Sequence, residues 1–497
     1  MTVIMVIFLF ACSNQPAIKP PVAGKIAHEL FDKRIDNYFW MRLSDEQKNA
    51  ASPDEQTAKV LDYLNKENDY TKAMLTHTET LQKTIYDEII GRIKKNDESV
   101  PYLDNGYYYY YKYLEGKEYP VYFRKKGSLE APEELLLDVN KLAEGKSYCS
   151  VTGLTVSRNN KILAYGADFV SRRRYTINFL DLSSGQLLPD KIENTTSNIV
   201  WAADNKTVLY TTKDPETLRS ARVMKHKLGS PVEKDSEVYY EGDDTYSVYV
   251  SETRSHKYIL INSSQTLASE TRYIESSKPD GEIKIIEPRK INHEYQVDHL
   301  GNTFYIRTNT DGATNFKMMK TPENKTSKEN WTDVIPHRSD VLFEGFELFD
   351  NYIVSDERIK GLRNLRIINL KDKSDHYLDF GEETYTAAVN VNPNSNTDVL
   401  RYSFSSLTTP NSIIDYNMVT REKKVLKQDE VLGGFDKNNY ESKRLWAKAG
   451  DGTMSDAQVF RMDEDFADIY DIHYTIERSC HNLSNIKMVT VIVEMKG

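Results

Sequence analysis

The sequence is poor in cysteine and lacks the short motifs of several common chemistries. Only three cysteines, Cys12, Cys149 and Cys480, occur in 497 residues, too few for a disulfide framework. No G-x-S-x-G string, which lifts a nucleophilic serine above a sheet, and no glycine-rich phosphate loop are present. The sequence therefore excludes a disulfide scaffold and shows no site for serine hydrolysis or phosphate binding.

Positive charge and tryptophan are also scarce. The 65 Lys and Arg residues are outnumbered by 75 Asp and Glu residues, which gives a net charge of −10. This balance argues against a nucleic-acid partner, because a phosphate backbone needs a cationic surface. It is compatible with cationic peptides or simply with a soluble surface. Against 4 Trp stand 33 Tyr, a composition typical of half-exposed strands whose rings pack while the hydroxyls reach water.

The N-terminal apolar run at residues 3–10 is too short to span a bilayer and ends in Leu9-Phe10-Ala11-Cys12. It resembles a bacterial lipoprotein signal, in which the cysteine becomes the lipidated first residue. We therefore predict a signal peptide at residues 1–11, lipidation at Cys12 and a tether at residues 12–24, in the bacterial cell envelope facing the periplasm. The lipid anchor would be the only membrane contact. Because Phe10 is bulky and no Lys or Arg precedes the run, an ordinary cleaved signal and a mis-assigned start are the alternatives.

A turn followed by a strand recurs seven times through the middle of the chain. The repeats are anchored at residues 107, 161, 206, 257, 303, 352 and 398, with gaps of 45 to 54 residues. A period of roughly 40–50 residues built from short strands is the signature of β-propeller blades. We therefore predict a mainly β fold, with a seven-bladed β-propeller over residues 99–440.

Before the repeats, the pattern from about residue 54 to residue 94 is helical. Apolar residues recur there at spacings of three and four, and Ser52-Pro53-Asp54-Glu55 is typical of a helix start with proline in the first turn. We predict an N-terminal helical segment over residues 25–98. Its apolar stripe needs a partner that a propeller rim does not offer, so the pattern indicates another domain.

Several short segments of the sequence resemble segments of the prolyl oligopeptidase family of serine peptidases, and within it of oligopeptidase B (protease II). The segments are residues 32–40 (DKRIDNYFW), 60–68 (VLDYLNKEN), 171–177 (SRRRYTI), 293–299 (HEYQVDH) and 444–453 (RLWAKAGDGT). The resemblance extends over about residues 25–457. It implies a seven-bladed propeller capping an α/β-hydrolase domain with a Ser-Asp-His triad, and it implies cleavage of short peptides after Arg or Lys without a cofactor. It also implies that the N-terminal helices lie against the hydrolase domain.

No residue of the sequence can be assigned to that triad. The nearest string to a nucleophile elbow, Gly145-Lys146-Ser147-Tyr148-Cys149, has Cys in place of the second glycine. His293-Glu294 begins like a zinc-peptidase motif, but Val297 replaces the second histidine. We therefore predict no catalytic, cofactor-binding or metal-binding residue.

Four other groups of residues have side chains that can act in catalysis, metal binding or partner binding. Cys480 and His481 are adjacent, with His473 nearby, and we interpret them as neither a dyad nor a zinc site. Cys149 is interpreted as a small buried hydrophobe. The run Arg172-Arg173-Arg174 suits an acidic partner or, more simply, a solvated strand edge. Four further histidines are interpreted as packed or turn residues: His226, His293, His299 and His337.

After the repeats, residues 441–459 resemble the start of the hydrolase domain, and residues 460–497 form a divergent tail. That tail is too short for a catalytic α/β domain, so we expect the hydrolase domain to be essentially absent and hypothesise a shifted reading frame or a premature stop. Two functions follow. One is the N-terminal and propeller portion of a serine oligopeptidase, which is inactive alone and whose partner would be a separately encoded hydrolase domain. The alternative is a membrane-tethered propeller that binds peptides or proteins.

Overall fold

The structure is a computed structural model that describes residues 19–215, 217–448, 450–452, 454–462, 472–477 and 490–495. The predicted signal peptide and the predicted lipidation site at Cys12 lie outside the described residues. The chain divides into two compact units, with the division after Ile93. Among the described residues, no helix combines the length and the apolar character needed to cross a membrane.

The first unit is helical. It contains β1 (His28–Glu29), β2 (Ile35–Asp36), α1 (Asp45–Asn49), α2 (Glu55–Leu75) and α3 (Glu79–Arg92), with 3-10 turns at Phe39–Met41 and Thr76–Thr78. The Asp54 carboxylate caps α2 by accepting the backbone N–H of Thr57 at 2.7 Å. The predicted helical stretch is therefore confirmed, but it is two helices. Pro53 precedes the cap and does not occupy the first turn, because Asp54 itself is the capping residue.

The second unit consists of antiparallel sheets that follow one another along the chain. Sheet I has five strands: β3 (Asp97–Glu98), β4 (Tyr102–Asp104), β5 (Tyr107–Tyr113), β6 (Val121–Lys126) and β7 (Glu133–Asp138). Sheet II has seven strands: β8 (Ser150–Val156), β9 (Ile162–Asp168), β10 (Tyr175–Asp181), β11 (Gln186–Trp201), β12 (Thr207–Lys213), β13 (Ser220–Lys227) and β14 (Ser236–Tyr240).

Four further sheets have four strands each. Sheet III contains β15 (Ser247–Glu252), β16 (Tyr258–Gln265), β17 (Ala268–Glu275) and β18 (Lys284–Ile285). Sheet IV contains β19 (Tyr295–Leu300), β20 (Thr303–Thr308), β21 (Lys317–Pro322) and β22 (Thr332–Ile335). Sheet V contains β23 (Val341–Leu348), β24 (Tyr352–Ile359), β25 (Leu362–Asn369) and β26 (Asp375–Tyr377). Sheet VI contains β27 (Thr386–Val389), β28 (Val399–Ser405), β29 (Ser412–Asn417) and β30 (Lys423–Gln428).

Two hairpins follow the sheets. They pair β31 (Tyr440–Lys448) with β32 (Met454–Met462) and β33 (Ile472–Glu477) with β34 (Thr490–Met495). The remaining elements are a short helix, α4 (Val139–Ala143), and 3-10 turns at Val232–Lys234, Lys328–Asn330 and Lys437–Asn439. Residues 441–447 lie in β31.

The propeller prediction is confirmed, but the prediction of seven separate blades is wrong. Five sheets have the four or five strands of one blade, and the repeats anchored at 161 and 206 share the seven-stranded sheet II. The cause is β11, which has 16 residues. Its first part pairs with β10 and its last part pairs with β12, so hydrogen bonding runs through both repeats without a break.

A bend in β11 folds sheet II over on itself. Asn194 and Ser197 have φ values of 59° and 67°, in the left-handed region, and the pairing with β12 is irregular there. The bend presses Ser197 onto Gly153 and Gly166 of the neighbouring strands β8 and β9. Residues of β9 and β10 pack against residues of β11 and β12, as successive sheets do elsewhere.

The core of the second unit is a series of hydrophobic clusters between neighbouring sheets. Clusters join sheet I to sheet II, sheet II to sheet III, sheet III to sheet IV, sheet IV to sheet V and sheet V to sheet VI. Among the described residues, no such cluster joins sheet VI to sheet I. That boundary is made instead by the Lys427 ammonium, 2.6 Å from both the Asp97 carboxylate and the Glu98 carbonyl, and by Arg401, which donates to the Pro101 carbonyl at 2.7 Å.

We expect Gly166→Ala to lower the free energy of unfolding by about 1–3 kcal/mol, because a Cβ there overpacks the bend of β11. That Cβ would lie 2.4 Å from the Ser197 Cβ. Gly242→Ala is the matched control, since the atom nearest to its Cβ would be a Tyr240 ring carbon at 3.8 Å. Urea unfolding followed by tryptophan fluorescence measures both. Equal stability of the two variants would contradict the tight approach at Ser197.

Candidate functional site

A cavity of the second unit, cavity 1, has a volume of about 920 Å³ and takes its wall from sheets I, II, III and VI. Much of the wall is aromatic: Tyr102, Tyr109, Tyr110, Tyr111, Tyr122, Phe123 and Trp201. These side chains come from β4, β5, β6 and β11. A cavity of this size and character suits an organic ligand such as a short peptide.

Four tyrosine hydroxyls of cavity 1, those of Tyr102, Tyr109, Tyr110 and Tyr122, remain protonated at neutral pH. Burial raises the pKa of Tyr102 to about 12, and burial also raises the pKa of Tyr109 and Tyr122. The pKa of Tyr110 is raised by burial and by the neighbouring Glu133 carboxylate. The wall therefore offers neutral hydroxyl groups rather than phenolates.

The cationic side chains of cavity 1 are paired with carboxylates. Arg158 lies 2.5 Å from Glu252 and 3.6 Å from Asp104, which joins sheets I, II and III. The Lys427 contact with Asp97 and an Arg401 contact with Asp415 at 2.7 Å account for the other two cations. These charges hold sheets together and are not free to act on a ligand.

Cavity 2 has a volume of about 570 Å³ and lies among strands of sheets III, IV and V. Its wall is mostly hydroxyl and amide groups: Ser251, Asn262, Ser263, Ser264, Gln265, Ser269, Thr271 and Gln296. Four charged residues also line it: Glu252, Glu294, Asp298 and Arg307. Such a wall can form hydrogen bonds with the main chain of a peptide.

A serine, a histidine and a carboxylate meet outside both cavities. The Ser255 Oγ lies 2.8 Å from Nδ1 of His299, and Nε2 of His299 lies 3.1 Å from the Glu323 carboxylate. The His299 ring is fully buried and is packed against Tyr258 and Phe304. Burial lowers the pKa of His299. A nucleophile and its base must reach a substrate, and the buried His299 ring cannot. The relay formed by Ser255, His299 and Glu323 therefore has a structural role, which is to join the turn after β15 to sheet IV.

The structure does not bring together the candidate residues that the sequence offered for catalysis or metal binding. Cys149 is buried between sheets I and II, as predicted, and burial raises its pKa. Ser147 is exposed in the loop before β8. His293 is buried with Nε2 3.0 Å from the Thr308 hydroxyl, and Val297 packs in the core cluster of sheets III and IV. His226 and His299 are also buried, as predicted.

The three consecutive arginines lie in the loop between β9 and β10, so the interpretation as a strand edge is wrong. The reason is the buried Asp168 carboxylate, which accepts the backbone N–H groups of Val170, Arg172 and Arg173 at 2.8, 3.1 and 2.7 Å and so closes a loop. The guanidinium groups of Arg172, Arg173 and Arg174 are exposed.

The remaining candidates fall partly outside the described residues. Cys12, Cys480 and His481 lie outside them, whereas His473 lies in β33. Within the part of the chain that the structure describes, no group of three His, Cys, Asp or Glu residues could hold a metal ion. The sequence interpretation missed Arg307 and the partners of His299. No local signal marked them, because each lies beside residues that are distant in the chain.

The comparisons with known proteins agree on one fold. The family model described as the N-terminal β-propeller domain of prolyl oligopeptidase matches residues 21–429. The chain is 41% identical over 460 residues to dipeptidyl aminopeptidase BI of Pseudoxanthomonas mexicana, covering 89% of this chain and 62% of that protein. It is 29% identical over 445 residues to protease 2 of Moraxella lacunata, covering 88% of this chain and 62% of that protein.

Solved structures give the same result. Oligopeptidase B from Leishmania major superposes with a TM-score of 0.81 at 28% identity, over 90% of this chain and 65% of that one. Oligopeptidase B from Trypanosoma brucei, in a closed form with covalently bound antipain, superposes with a TM-score of 0.80 at 28% identity, again over 90% and 65%. The chain thus spans 62% of the length of both curated relatives named above.

We expect Ser255 to remain unmodified by a fluorophosphonate reagent, because its hydroxyl is engaged with His299 and lines neither cavity. Ser255→Ala should lower the free energy of unfolding by about 1 kcal/mol through loss of that hydrogen bond. Peptide mapping by mass spectrometry after labelling, with a urea-denatured sample as control, checks the first result. A phosphonylated peptide that contains Ser255 in the folded protein would show an accessible nucleophile instead.

Proposed function

Because this chain belongs to the prolyl oligopeptidase family through its N-terminal β-propeller domain, we propose that it is the propeller portion of a serine oligopeptidase. In this role it receives short peptides in its cavities beside a hydrolase domain that performs the chemistry. The observation that supports the proposal most is the family match over residues 21–429 together with cavity 1. The resemblance to the prolyl oligopeptidase family that the short sequence segments indicated is confirmed.

Within this proposal, the 497 residues alone bind peptides without cleaving them. The sequence contains no G-x-S-x-G string, and Ser255 and its buried partner His299 lie outside both cavities. In the complete mechanism, a serine would attack the peptide carbonyl, a histidine would take its proton and an aspartate would orient the histidine. Those three residues belong to the hydrolase domain, whether or not it is encoded separately.

The proposed preference is for peptides with Arg or Lys before the cleaved bond. Support comes from the likeness to protease 2 and to two oligopeptidase B structures. The net charge of −10 favours the approach of cationic peptides. The likeness to a dipeptidyl aminopeptidase leaves room for cleavage near a peptide N-terminus.

We also propose that the hydrolase domain covers the apolar face of α2 and α3. That face leaves exposed the residues Leu61, Leu64, Leu75, Leu81, Ile85, Ile89 and Ile93. A soluble protein rarely leaves so many apolar side chains in contact with water without a partner. A lipid on Cys12 would tether the assembly to the bacterial cell envelope, facing the periplasm.

A second candidate is a tethered propeller that binds peptides or proteins and has no hydrolase partner. It is favoured by the absence of a nucleophile motif in the sequence, combined with a cavity large enough for a peptide. Co-expression with the hydrolase domain of a relative separates the two. Peptidase activity that depends on both parts supports the first candidate, and binding that is unaffected by the hydrolase part supports the second.

We expect the purified chain to bind a pentapeptide that contains Arg without releasing product, as followed by calorimetry and mass spectrometry. Tyr111→Ala should weaken this binding about 3- to 10-fold, the usual effect of losing one aromatic contact. Tyr240→Ala is the matched control, because Tyr240 is 47% exposed and lines neither cavity, whereas Tyr111 is 38% exposed and lines cavity 1.

Two results would contradict this proposal. Product formation by the chain alone would show a catalytic centre within these residues. Equal weakening by both tyrosine variants would place the peptide outside cavity 1.

A further inference from the structure

The guanidinium of Arg307 in cavity 2 is held on two sides. Arg307 belongs to β20, and its Nε donates to the carbonyl oxygen of Phe343 at 2.8 Å. The Phe316 ring covers one face of the guanidinium, with its centroid 3.5 Å from Cζ. The Nη groups are therefore the donors left for a ligand in the cavity.

No carboxylate neutralises this guanidinium. Within the ranges that the structure describes, no ion pair joins Arg307 to an acidic residue. Glu344 and Glu294 act on it only at longer range. The Glu344 carboxylate forms ion pairs with Arg358 at 2.8 Å and with Arg363 at 3.3 Å. Burial lowers the pKa of Arg307 to about 10, so the group is charged at neutral pH.

Two of the three acidic groups of the wall already have close partners. Glu252 is paired with Arg158, and Asp298 accepts the backbone N–H groups of Arg254 and His299, each at 2.7 Å. The Glu294 carboxylate accepts only a long hydrogen bond from Asn309, at 3.4 Å. Arg307 is therefore a partly buried cation that forms no ion pair among the described residues, and the Glu294 carboxylate acts on it only at longer range. An anion that reaches it would gain more than it would in water, because the surroundings screen charge less.

We propose that cavity 2 binds the carboxylate of a short peptide, with Arg307 as the anion-binding residue. This assignment rests on the proposed peptide-binding function. The planar fork of a guanidinium matches the two oxygens of a carboxylate. A volume of about 570 Å³ is within the range of ligand pockets. The serine and amide groups of the wall would pair with the peptide main chain.

The acidic groups of the wall favour a peptide over a phosphate. Glu294 and Asp298 line the same cavity as Arg307. The Glu294 carboxylate repels a doubly charged phosphate more strongly than a singly charged carboxylate and attracts the ammonium of a zwitterionic peptide. Burial raises the pKa of Asp298 and so disfavours its charged form. The ligand class with both charges is a short peptide with free ends.

The test is calorimetry on the full chain with tetra-alanine and with the same peptide amidated at its C-terminus. We expect the amide to bind about tenfold more weakly, the effect of losing one charge-assisted contact. Arg307→Gln should remove the difference between acid and amide, and Arg307→Lys should retain part of it. Arg172→Gln is the matched control, because it removes an exposed cation that lines neither cavity.

A third peptide identifies the source of the carboxylate. Acetyl-Ala-Glu-Ala-amide carries its only carboxylate on a side chain. If it binds as well as tetra-alanine and loses affinity in Arg307→Gln, the same site is supported and the ligand group is a side-chain carboxylate. If it binds as weakly as the amide, the site takes the peptide C-terminus.

The remaining outcomes overturn the assignment. Equal affinity of acid and amide for the unmodified chain would overturn the role of Arg307 while leaving peptide binding intact, and this comparison needs no variant to fold. A preference for the acid that persists in Arg307→Gln would do the same, with an unchanged thermal midpoint showing that the variant is folded. Absence of any peptide binding would overturn both this assignment and the proposed function.

Discussion

A small set of polar side-chain contacts joins the last sheet of the succession to the first, and this constraint sets where the second unit can open. Sheet I is built from residues near the start of the repeats and sheet VI from residues near their end, with no strand shared between them. The Lys427 contacts with Asp97 and Glu98, together with the Arg401 contact with Pro101, cross this boundary. Elsewhere the successive sheets are joined by buried hydrophobic clusters.

The two kinds of boundary differ in strength. Burying one large apolar side chain stabilises by about 1.5–3 kcal/mol, and each cluster contains several. A partly exposed ion pair contributes only about 0–1 kcal/mol. The boundary between sheet VI and sheet I is therefore the one that opens at the lowest cost in free energy. Cavity 1 takes its wall from both sides of that boundary, whereas cavity 2 lies beside the clusters of sheets III, IV and V.

The strand starts could be read from the sequence with good accuracy. The anchors 107, 303 and 352 are the first residues of β5, β20 and β24, and the anchors 161, 206, 257 and 398 directly precede β9, β12, β16 and β28. Turn residues and alternating apolar residues are local signals, so they fix where a strand begins. The number of separate blades could not be read in this way. It depends on the hydrogen bonding of β11 to strands on both sides, which the repeat period does not contain.

The candidate site was not visible in the sequence for a related reason. Arg307 lies in the repeat anchored at residue 303, where the sequence marks it as an ordinary strand residue. Its role follows from Phe316, Phe343 and the wall of cavity 2, which come from three sheets. Likewise, the packing of His299 could be predicted from the sequence, but its hydrogen-bond partners Ser255 and Glu323 could not. Pairings across sheets are set by tertiary packing and leave no local pattern.

Hydrogen–deuterium exchange of the Lys427→Met variant tests the polar boundary most directly, because Lys427 contacts only Asp97 and Glu98 across it. Lys191→Met is the control, since the pair of Lys191 with Glu193 is exposed and lies within sheet II. The account predicts faster exchange in β3, β5 and β30 of the first variant, by up to about fivefold, with sheets III and IV unchanged. Unchanged exchange in those strands, or faster exchange spread evenly over all six sheets, would contradict it.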